Sequence, residues 1–309
     1  MTTAIYTHPV CKLHKMGESA PECPARIQVI EDKLVADGLD RFLDYRLAPE
    51  ASIEDIQRVH LLDNINWVRD NVPAGPDEYV GVYDMTLNQY SWEAARRAAG
   101  ATIAATDAVL DGEIDNAFCL VRPIGHHATP STPMGFSVFN SVAIAAMHAL
   151  KVRGLERIAI VDFDVHHGNG TDDAFAYEPR VLMVSFYQTF LYPFMGNERE
   201  RVNMVNVPVE PGADGRVIRQ LVTEKWLPAL HAHRPQLIYI SAGFDAHRDD
   251  PIGGLGLVED DYVWITQQVM AIANQYAQGR IVSSLEGGYN LTALANSAVA
   301  HIKTLAGLE

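Results

Sequence analysis

The stretch from Val161 to Gly170 reads VDFDVHHGNG, and the apolar run IAI precedes it without a break. A short apolar run rich in β-branched residues is typical of a strand that is buried on both faces. Side chains alternate along a strand, so Asp162, Asp164 and His166 point to the same side if the strand continues that far. The sequence therefore predicts two carboxylates and one imidazole at the end of a buried strand.

Four other apolar runs have the same character, and they are AFCLV (117–121), VLMVSF (181–186), LIYIS (237–241) and RIVSSL (280–285). Segments with helical periodicity alternate with the strands and span residues 91–110, 139–152, 216–231, 260–277 and 291–305. Ser91 is expected to cap the first of these helices, which stops before Gly112. Alternating strands and helices predict an α/β fold with one mostly parallel sheet covered by helices on both faces. No linker divides the chain, so residues 1–309 are interpreted as one domain.

Chemically active side chains follow four of the predicted strands. The segments that carry them are RPIGHHA (122–128), DVHHGNG (164–170), AGFDAH (242–247) and EGGYN (286–290). In a parallel sheet the carboxyl ends of the strands meet at one edge, and ligands bind there. The four segments are therefore expected to form a single site.

Asp164, His166 and Asp245 are the candidate metal ligands. Three protein ligands with an open fourth position are the catalytic arrangement for zinc. Two carboxylates neutralise Zn²⁺, so its bound water should be less acidic than at a site with three imidazoles, and a separate general base becomes useful. The alternative is that the Asp-x-Asp-x-His run only caps a helix that begins near Thr171 or Asp172, and that Asp245 is an ordinary strand-end carboxylate.

His126 and His127 are the candidate proton-transfer groups, because an imidazole titrates near neutral pH. Asp162 could orient one of them and Asn169 the other, and a turn is needed to direct both adjacent rings toward one metal. Tyr289 follows two glycines and could donate a hydrogen bond to a substrate carbonyl oxygen. The alternatives are that the histidines only stabilise a loop and that Tyr289 is an ordinary turn residue.

Seven segments, taken in chain order, resemble the zinc-dependent histone deacetylase family, which includes acetylpolyamine amidohydrolases and bacterial deacetylase-like enzymes. They are PECPARI (21–27), RPIGHHA (122–128), GFSVFN (135–140), VDFDVHHGNGT (161–171), VSFYQTFLYP (184–193), SAGFDAHRDDP (241–251) and LEGGYN (285–290). The resemblance implies an arginase/deacetylase fold and a zinc-dependent deacetylase that removes an acetyl group from an N-acetylated amine. An acetyl-lysine peptide or protein and an acetylated polyamine are the implied partners.

The resemblance also implies a role for each of the chemically active residues. It assigns one Zn²⁺ to Asp164, His166 and Asp245, and carbonyl polarisation to Tyr289. It makes His127 the general base, with Asn169 as its partner. It makes His126 the electrostatic partner and general-acid candidate, with Asp162 bonded behind it. An asparagine at position 169 is similar to the class II branch of the family. Iron(II) is the alternative metal for the same ligands.

Further implied residues hold a second cation or line the substrate tunnel. A structural K⁺ is implied on the carbonyls of Asp162, Asp164 and His166 together with Ser185. The substrate tunnel is assigned to Gly135, Phe136 and Tyr192, with Asp84 at its rim. Phe194 and Met195 add apolar bulk at the tunnel mouth, where relatives have a glycine-rich sequence. Ile252 stands where a carboxylate would indicate a preference for polyamines, so the polyamine reading is the weaker one.

Composition limits the partners of the chain. A net charge of −15 disfavours nucleic acid, which binds basic surfaces, and weakly favours cationic substrates. The longest apolar runs fall short of the roughly 18 residues that a membrane span needs, and the first residues do not resemble a signal peptide. A cytoplasmic protein is expected, and a homo-oligomer is compatible with the sequence.

Two other functions would use some of the same residues. A binuclear manganese ureohydrolase on the same fold would need additional bridging carboxylates near Asp164 and Asp245, and the sequence shows no second set. A catalytically idle protein that binds acetyl-lysine or a cationic metabolite would be expected to lack Tyr289 or one of the histidines, and this chain has them all.

Overall fold

Eight parallel strands form the central sheet of the protein. The structure is a computed structural model, and it describes residues 1–76, 78–194 and 201–308. The described residues contain ten strands in all, of which β3 and β4 lie outside this sheet. In chain order they are β1 (Thr3–Thr7), β2 (Asp44–Leu47), β3 (Val80–Val82), β4 (Met85–Leu87), β5 (Asn116–Cys119), β6 (Ile158–Asp162), β7 (Val181–Gln188), β8 (Met204–Val209), β9 (Leu237–Ala242) and β10 (Ile281–Leu285). The sheet has the order β2-β1-β5-β10-β9-β6-β7-β8, and every pairing in it is parallel. The predicted α/β fold is confirmed.

Helices pack against both faces of this sheet. They are α1 (Ala25–Ala36), α2 (Ile53–Gln57), α3 (Leu62–Asn71), α4 (Ser91–Leu110), α5 (Ser141–Lys151), α6 (Asn169–Phe175), α7 (Gly215–Leu221), α8 (Leu227–His233), α9 (Glu259–Tyr276) and α10 (Leu291–Leu305). Helices α1, α10 and α9 pack side by side in one layer, and α4 packs on α5 in the other. The buried Tyr239 of β9 shows how closely the second layer approaches, because its hydroxyl contacts Thr106 of α4 and donates to the Ala145 carbonyl of α5.

The order of the strands brings the four predicted site segments together. Strands β5, β10, β9 and β6 are direct neighbours in the centre of the sheet, and each of them is followed by one of these segments. Because all four strands are parallel, the segments leave the sheet at the same edge. The predicted convergence of the four segments is confirmed.

The helices differ from the expectation at two places. Ser91 does not cap α4; it is the first helical residue, and its hydroxyl instead accepts the N–H of Asn88 and contacts His14. The helix expected at 216–231 is interrupted by a π-helical turn from Val222 to Trp226. Pro228 explains the interruption, because it has no N–H to donate to the carbonyl four residues earlier.

Strands β3 and β4 form a separate antiparallel ribbon beside the carboxyl edge of the sheet. Val82, Met85 and Leu87 of this ribbon are buried in a second apolar cluster with Phe139. The ribbon therefore has a packed base, which allows its turn at Tyr83 and Asp84 to hold a defined position. Within the described residues, none of the helices combines the length and the apolar character needed to cross a membrane.

Candidate active site

Strand β6 ends earlier than expected, and the way it ends builds the site. The strand stops at Asp162, so Asp164 and His166 lie in the following loop and are not placed by strand alternation. The Asp162 Oδ1 accepts the N–H of Asp164 at 3.1 Å, and the Asp164 Oδ1 accepts the N–H of His166 at 2.9 Å. Side-chain bonds to a backbone N–H two residues on compete with strand pairing and turn the chain. The helix that follows begins at Asn169 and not at the alternative caps Thr171 or Asp172.

Asp164, His166 and Asp245 form a buried metal-binding triad. Their candidate ligand atoms all lie within 4.8 Å of one another, and this is the one such group found in the part of the chain that the structure describes. The His166 Nδ1 is 3.0 Å from the Asp164 Oδ1 and 3.1 Å from the Asp245 Oδ2. Nδ1 is therefore the histidine atom that points to the metal position.

The protonation of the triad shows that its donor set fits a metal. Burial raises the pKa of Asp245 to about 7, and the charge of Asp164 adds to this effect. Burial opposes a charge on His166, but the carboxylates of Asp164 and Asp245 raise its pKa to about 10. A divalent cation would take the place of these protons and balance both buried carboxylates. Two oxygens and one imidazole nitrogen with an open position suit a catalytic zinc site.

The loop after β10 packs directly on the metal ligands. The N–H of Gly287 donates to the Asp164 Oδ2 at 2.8 Å. A Cβ atom at Gly287 would overlap the carboxylate oxygens of both Asp164 and Asp245, and Gly288 has a φ of 121°. Position 287 has no room for a Cβ atom, and position 288 has a backbone conformation that favours glycine. The close backbone approach expected from the EGGYN segment is therefore confirmed.

A turn at His126 and His127 brings the two imidazole rings together, with centroids 4.0 Å apart. The His126 Nδ1 lies 3.0 Å from the Asp162 Oδ2, and the His127 Nδ1 lies 2.8 Å from the Asn169 Oδ1. Because an amide oxygen only accepts, His127 carries its proton on Nδ1 and has an unprotonated Nε2.

The two histidines differ in their affinity for a second proton. Burial alone would lower the pKa of His126, but the charges of Asp164 and Asp162 raise it well above its ordinary value. Burial lowers the pKa of His127 well below its ordinary value, and the neighbouring His126 and His166 add to this effect. The carboxylates beside His126 therefore favour its protonated form, whereas burial and the neighbouring imidazoles favour the neutral form of His127.

Tyr289 lies in the same loop after β10 that packs on the metal ligands. Its side chain is buried, its ring is 6.0 Å from that of Phe136, and the Arg26 guanidinium lies 5.0 Å from its centroid. Burial and the charge of Asp245 raise the pKa of Tyr289 well above its ordinary value. The phenol therefore stays protonated and remains a donor.

Two buried residues of the site were not identified from the sequence. Glu286 accepts the N–H groups of Gly125 and His126 at 2.8 and 3.2 Å, so it fixes the turn that carries the histidine pair. Arg26 donates to the carbonyls of Gly288 and Glu286 and pairs with the buried Glu22. Both lie in the segments LEGGYN and PECPARI, which were noted as motifs, but neither segment reveals which backbone groups the side chains would reach.

Two aromatic side chains flank the site, one beside His127 and one beside Tyr289. The Tyr192 ring is 4.9 Å from that of His127, and Phe136 faces Tyr289. Asp84 bridges the two sides, because its Oδ1 accepts the N–H of Gly135 at 2.9 Å and its Oδ2 accepts the Tyr192 hydroxyl at 2.6 Å. This carboxylate therefore connects the segment of Gly135 and Phe136 to Tyr192.

The remaining predicted residues lie around this centre. The ring of the exposed Phe194 is 6.3 Å from that of Tyr192, whereas Met195 lies outside the described residues. Ile252 is half-buried in the loop after β9. The Ser185 hydroxyl donates to the Asn206 Oδ1 at 2.8 Å, and Ser185 pairs in register with Asp162.

Comparisons with known proteins agree with this geometry. A family model for the histone deacetylase domain matches residues 20–305. The chain is 38% identical to the histone deacetylase-like amidohydrolase of Pseudomonas aeruginosa over 94% of this chain and 77% of that protein. It is 33% identical to the type-2 histone deacetylase 2 of Dictyostelium discoideum over 98% of this chain, which spans only 21% of that longer protein.

A solved structure shows the same fold. The HDA15 HD domain superimposes with a TM-score of 0.92 at 32% sequence identity, and the match covers 100% of this chain and 90% of that one. The family match covers nearly the whole chain and includes the buried triad, so this protein belongs to the histone deacetylase domain family and is a hydrolase with a metal-binding site formed by Asp164, His166 and Asp245.

Proposed function

We propose that this protein removes the acetyl group from an N-acetylated amine, with acetyl-lysine in a peptide or protein as the preferred substrate and Zn²⁺ as the metal. The observation that carries the proposal is a pair of imidazoles with different partners beside the triad: His126 lies on the Asp162 carboxylate and His127 on the Asn169 amide. Hydrolysis of an amide needs both a base to activate water and an acid to protonate the poor leaving group. This pair supplies one of each.

Zinc bound to Asp164, His166 and Asp245 would act as a Lewis acid on the substrate carbonyl and would lower the pKa of a water molecule. His127 takes the proton of that water on Nε2, because its Nδ1–H is held by Asn169. His126, held by Asp162, stabilises the developing negative charge and is the candidate donor of the proton to the leaving amine. Tyr289 donates from its hydroxyl to the carbonyl oxygen as charge develops there.

A structural K⁺ is part of the proposal, on the carbonyls of Asp162, Asp164 and His166 and on Ser185. The parallel register of β6 and β7 supports it by pairing Asp162 with Ser185. The cation would stabilise the loop that carries two of the zinc ligands, and it takes no part in the chemical steps.

The preference for acetyl-lysine over acetylated polyamines rests on Ile252. A second positive charge in a polyamine would be stabilised by a carboxylate near the channel, and Ile252 offers only an aliphatic side chain. Acetyl-lysine, flanked by neutral peptide bonds, does not need that carboxylate.

Acetate release by the zinc-loaded protein tests the proposal. An acetyl-lysine peptide and acetylputrescine are supplied in parallel at equal concentration, and we expect faster release from the peptide. Faster release from acetylputrescine would overturn the substrate preference while keeping the chemistry. Release from neither substrate by protein with one zinc per chain would contradict the proposed function and favour a protein that binds acylated amines without turnover.

Replacing Tyr192 with phenylalanine should change the balance between these two substrates. The variant keeps the aromatic wall against His127 and removes only the hydroxyl that occupies the Asp84 Oδ2. The freed carboxylate can then accept a backbone N–H of a peptide, an interaction that acetylputrescine does not offer. We expect kcat/KM for the peptide to rise by roughly two- to tenfold, which corresponds to one added hydrogen bond.

The measurement for this variant is kcat/KM on both substrates. Tyr276→Phe is the matched control, because it removes a hydroxyl that contacts His231 at the end of α9. An equal change on both substrates would show that Asp84 does not act on the peptide backbone.

A further inference from the structure

One buried carboxylate close to the site is neither a predicted metal ligand nor a proton-transfer group. Asp250 is 8% exposed and lies in the loop after β9, five residues beyond the ligand Asp245. Its Oδ2 accepts the N–H of Tyr289 at 2.7 Å and that of Asn290 at 3.3 Å. Its Oδ1 accepts the N–H of Ile252 at 2.9 Å and that of Gly253 at 3.2 Å. Each oxygen therefore accepts two backbone N–H groups, and the two oxygens bind two different loops.

The two loops joined by Asp250 both rest on the metal ligands. A Cβ atom at Gly253 would overlap the carbonyl oxygen of Asp245, so the turn that includes Ile252 lies directly on the backbone of a ligand. On the other side, the N–H of Gly287 is bonded to Asp164. Asp250 therefore links the turn that packs on the backbone of Asp245 to the loop of Tyr289, which packs on the carboxylates of Asp164 and Asp245.

We propose that Asp250 is a positioning residue for Tyr289: it fixes the main chain of the tyrosine and thereby the place of its hydroxyl. The inference rests on the proposed function, in which that hydroxyl donates to the substrate carbonyl. A carboxylate is required because four N–H groups need two acceptor oxygens, and hydrogen bonds to a charged acceptor are the stronger ones. An asparagine would present one oxygen and one NH₂ group, so two of the four N–H groups would face another donor.

The asymmetry of the four bonds supports this role. The shortest of them, at 2.7 Å, goes to the N–H of Tyr289 itself. The carbonyl of the neighbouring Asp249 accepts the side-chain amide of Asn290 at 3.0 Å, so the next residue of the tyrosine loop is bound to the same segment. Helix α10 begins directly after Asn290, which also caps it. Tyr289 is therefore held on both sides, by the Gly287 contact before it and by this segment and the helix after it.

The test is Asp250→Asn made in the wild-type chain and in a Tyr289→Phe chain, with Asp249→Asn as the matched control. Asp249 carries an exposed carboxylate, and its contact to Asn290 is through the backbone, so the control makes the same chemical change without touching the four bonds. An acyl-lysine peptide with an electron-poor trifluoroacetyl group keeps turnover measurable in slow variants. Zinc content is measured for each protein.

We expect Asp250→Asn to retain zinc and to lower kcat by about 10²-fold, the order of loss that a misplaced catalytic group produces. KM should stay within roughly threefold, because the lost interaction is made in the transition state. In the Tyr289→Phe chain the same change should lower kcat by less than about threefold, since the hydroxyl to be positioned is already absent. Asp249→Asn should resemble the wild type.

The outcomes separate this inference from the proposed function. An equal loss of kcat in both backgrounds, or no loss in either, would overturn the role of Asp250 while leaving Tyr289 in place. Full activity of Tyr289→Phe alone would remove the hydroxyl from the mechanism and with it the premise of this inference, whereas no acetate release by the zinc-loaded wild type would overturn the proposed function. If Asp250→Asn does not fold, amide hydrogen exchange in the wild-type zinc enzyme decides: equal protection of the N–H groups of Ile252 and Tyr289 supports a shared acceptor, and protection that differs by more than about tenfold contradicts it.

Discussion

An Asp164→Ala variant should hold no stoichiometric zinc and release no acetate above background. The change removes one of the three ligands, and it also removes the acceptor for the N–H of His166 and for that of Gly287. Loss of an outer partner of a ligand typically weakens metal binding by about 10–100-fold, and loss of a ligand itself should exceed that. The loop after β6 and the loop after β10 therefore both lose a hydrogen bond to this carboxylate in the variant.

Metal content per chain after dialysis and acetate release on the acetyl-lysine peptide are the measurements for this variant. Asp173→Ala is the matched control, because Asp173 is an exposed carboxylate on α6, close to the site in sequence. Normal zinc content together with normal turnover would mean that Asp164 is not a ligand. Normal zinc content without turnover would mean that the triad holds the metal in an unproductive geometry.

The position of the triad could be predicted because it depends on topology. Strands β5, β6, β9 and β10 were each visible as short apolar runs, and four parallel strands deliver the segments that follow them to the same edge. Helix α10 was predicted from its helical periodicity with the bounds that it has, Leu291–Leu305, and in the structure Asn290 caps it.

The detailed geometry could not be predicted, because it depends on bonds between side chains and backbone groups that are distant in sequence. Strand alternation was expected to aim Asp164 and His166, but the carboxylate of Asp162 ends the strand before either residue. Ser91 has the residue type of a helix cap, yet its hydroxyl is used by a buried contact to His14. Local propensity is overridden in both cases by a tertiary contact.

The same limit applies to the residues that were not found. Asp250 and Glu286 are single carboxylates in loops, and nothing in their spacing distinguishes them from exposed acidic residues. Their function appears only when the fold brings the N–H groups of other loops to their oxygens. The link between Asp84 and Tyr192 joins residues 108 positions apart, so no pattern within one segment could predict it.

Replacing Tyr289 with phenylalanine should lower kcat by about 10²–10³-fold while zinc content stays at the wild-type level. In the proposed mechanism the phenol donates to the substrate carbonyl, and burial raises its pKa, which keeps it protonated. Phenylalanine preserves the ring contact with Phe136 and the approach of Arg26, so the loop is not expected to move. The loss should therefore appear in kcat and much less in KM, because the hydroxyl bonds most strongly to a charge that exists only in the transition state.

The measurement is a full kcat and KM determination on the acetyl-lysine peptide, with zinc content and thermal unfolding recorded for the same preparation. Tyr177→Phe is the matched control, since Tyr177 is a largely exposed tyrosine. A variant that keeps normal kcat would remove Tyr289 from the mechanism, and the histidine pair would then have to supply the whole stabilisation of the developing charge. A variant with a normal kcat but a greatly raised KM would instead assign the hydroxyl to binding of the ground state, where the same geometry holds the substrate without accelerating its cleavage.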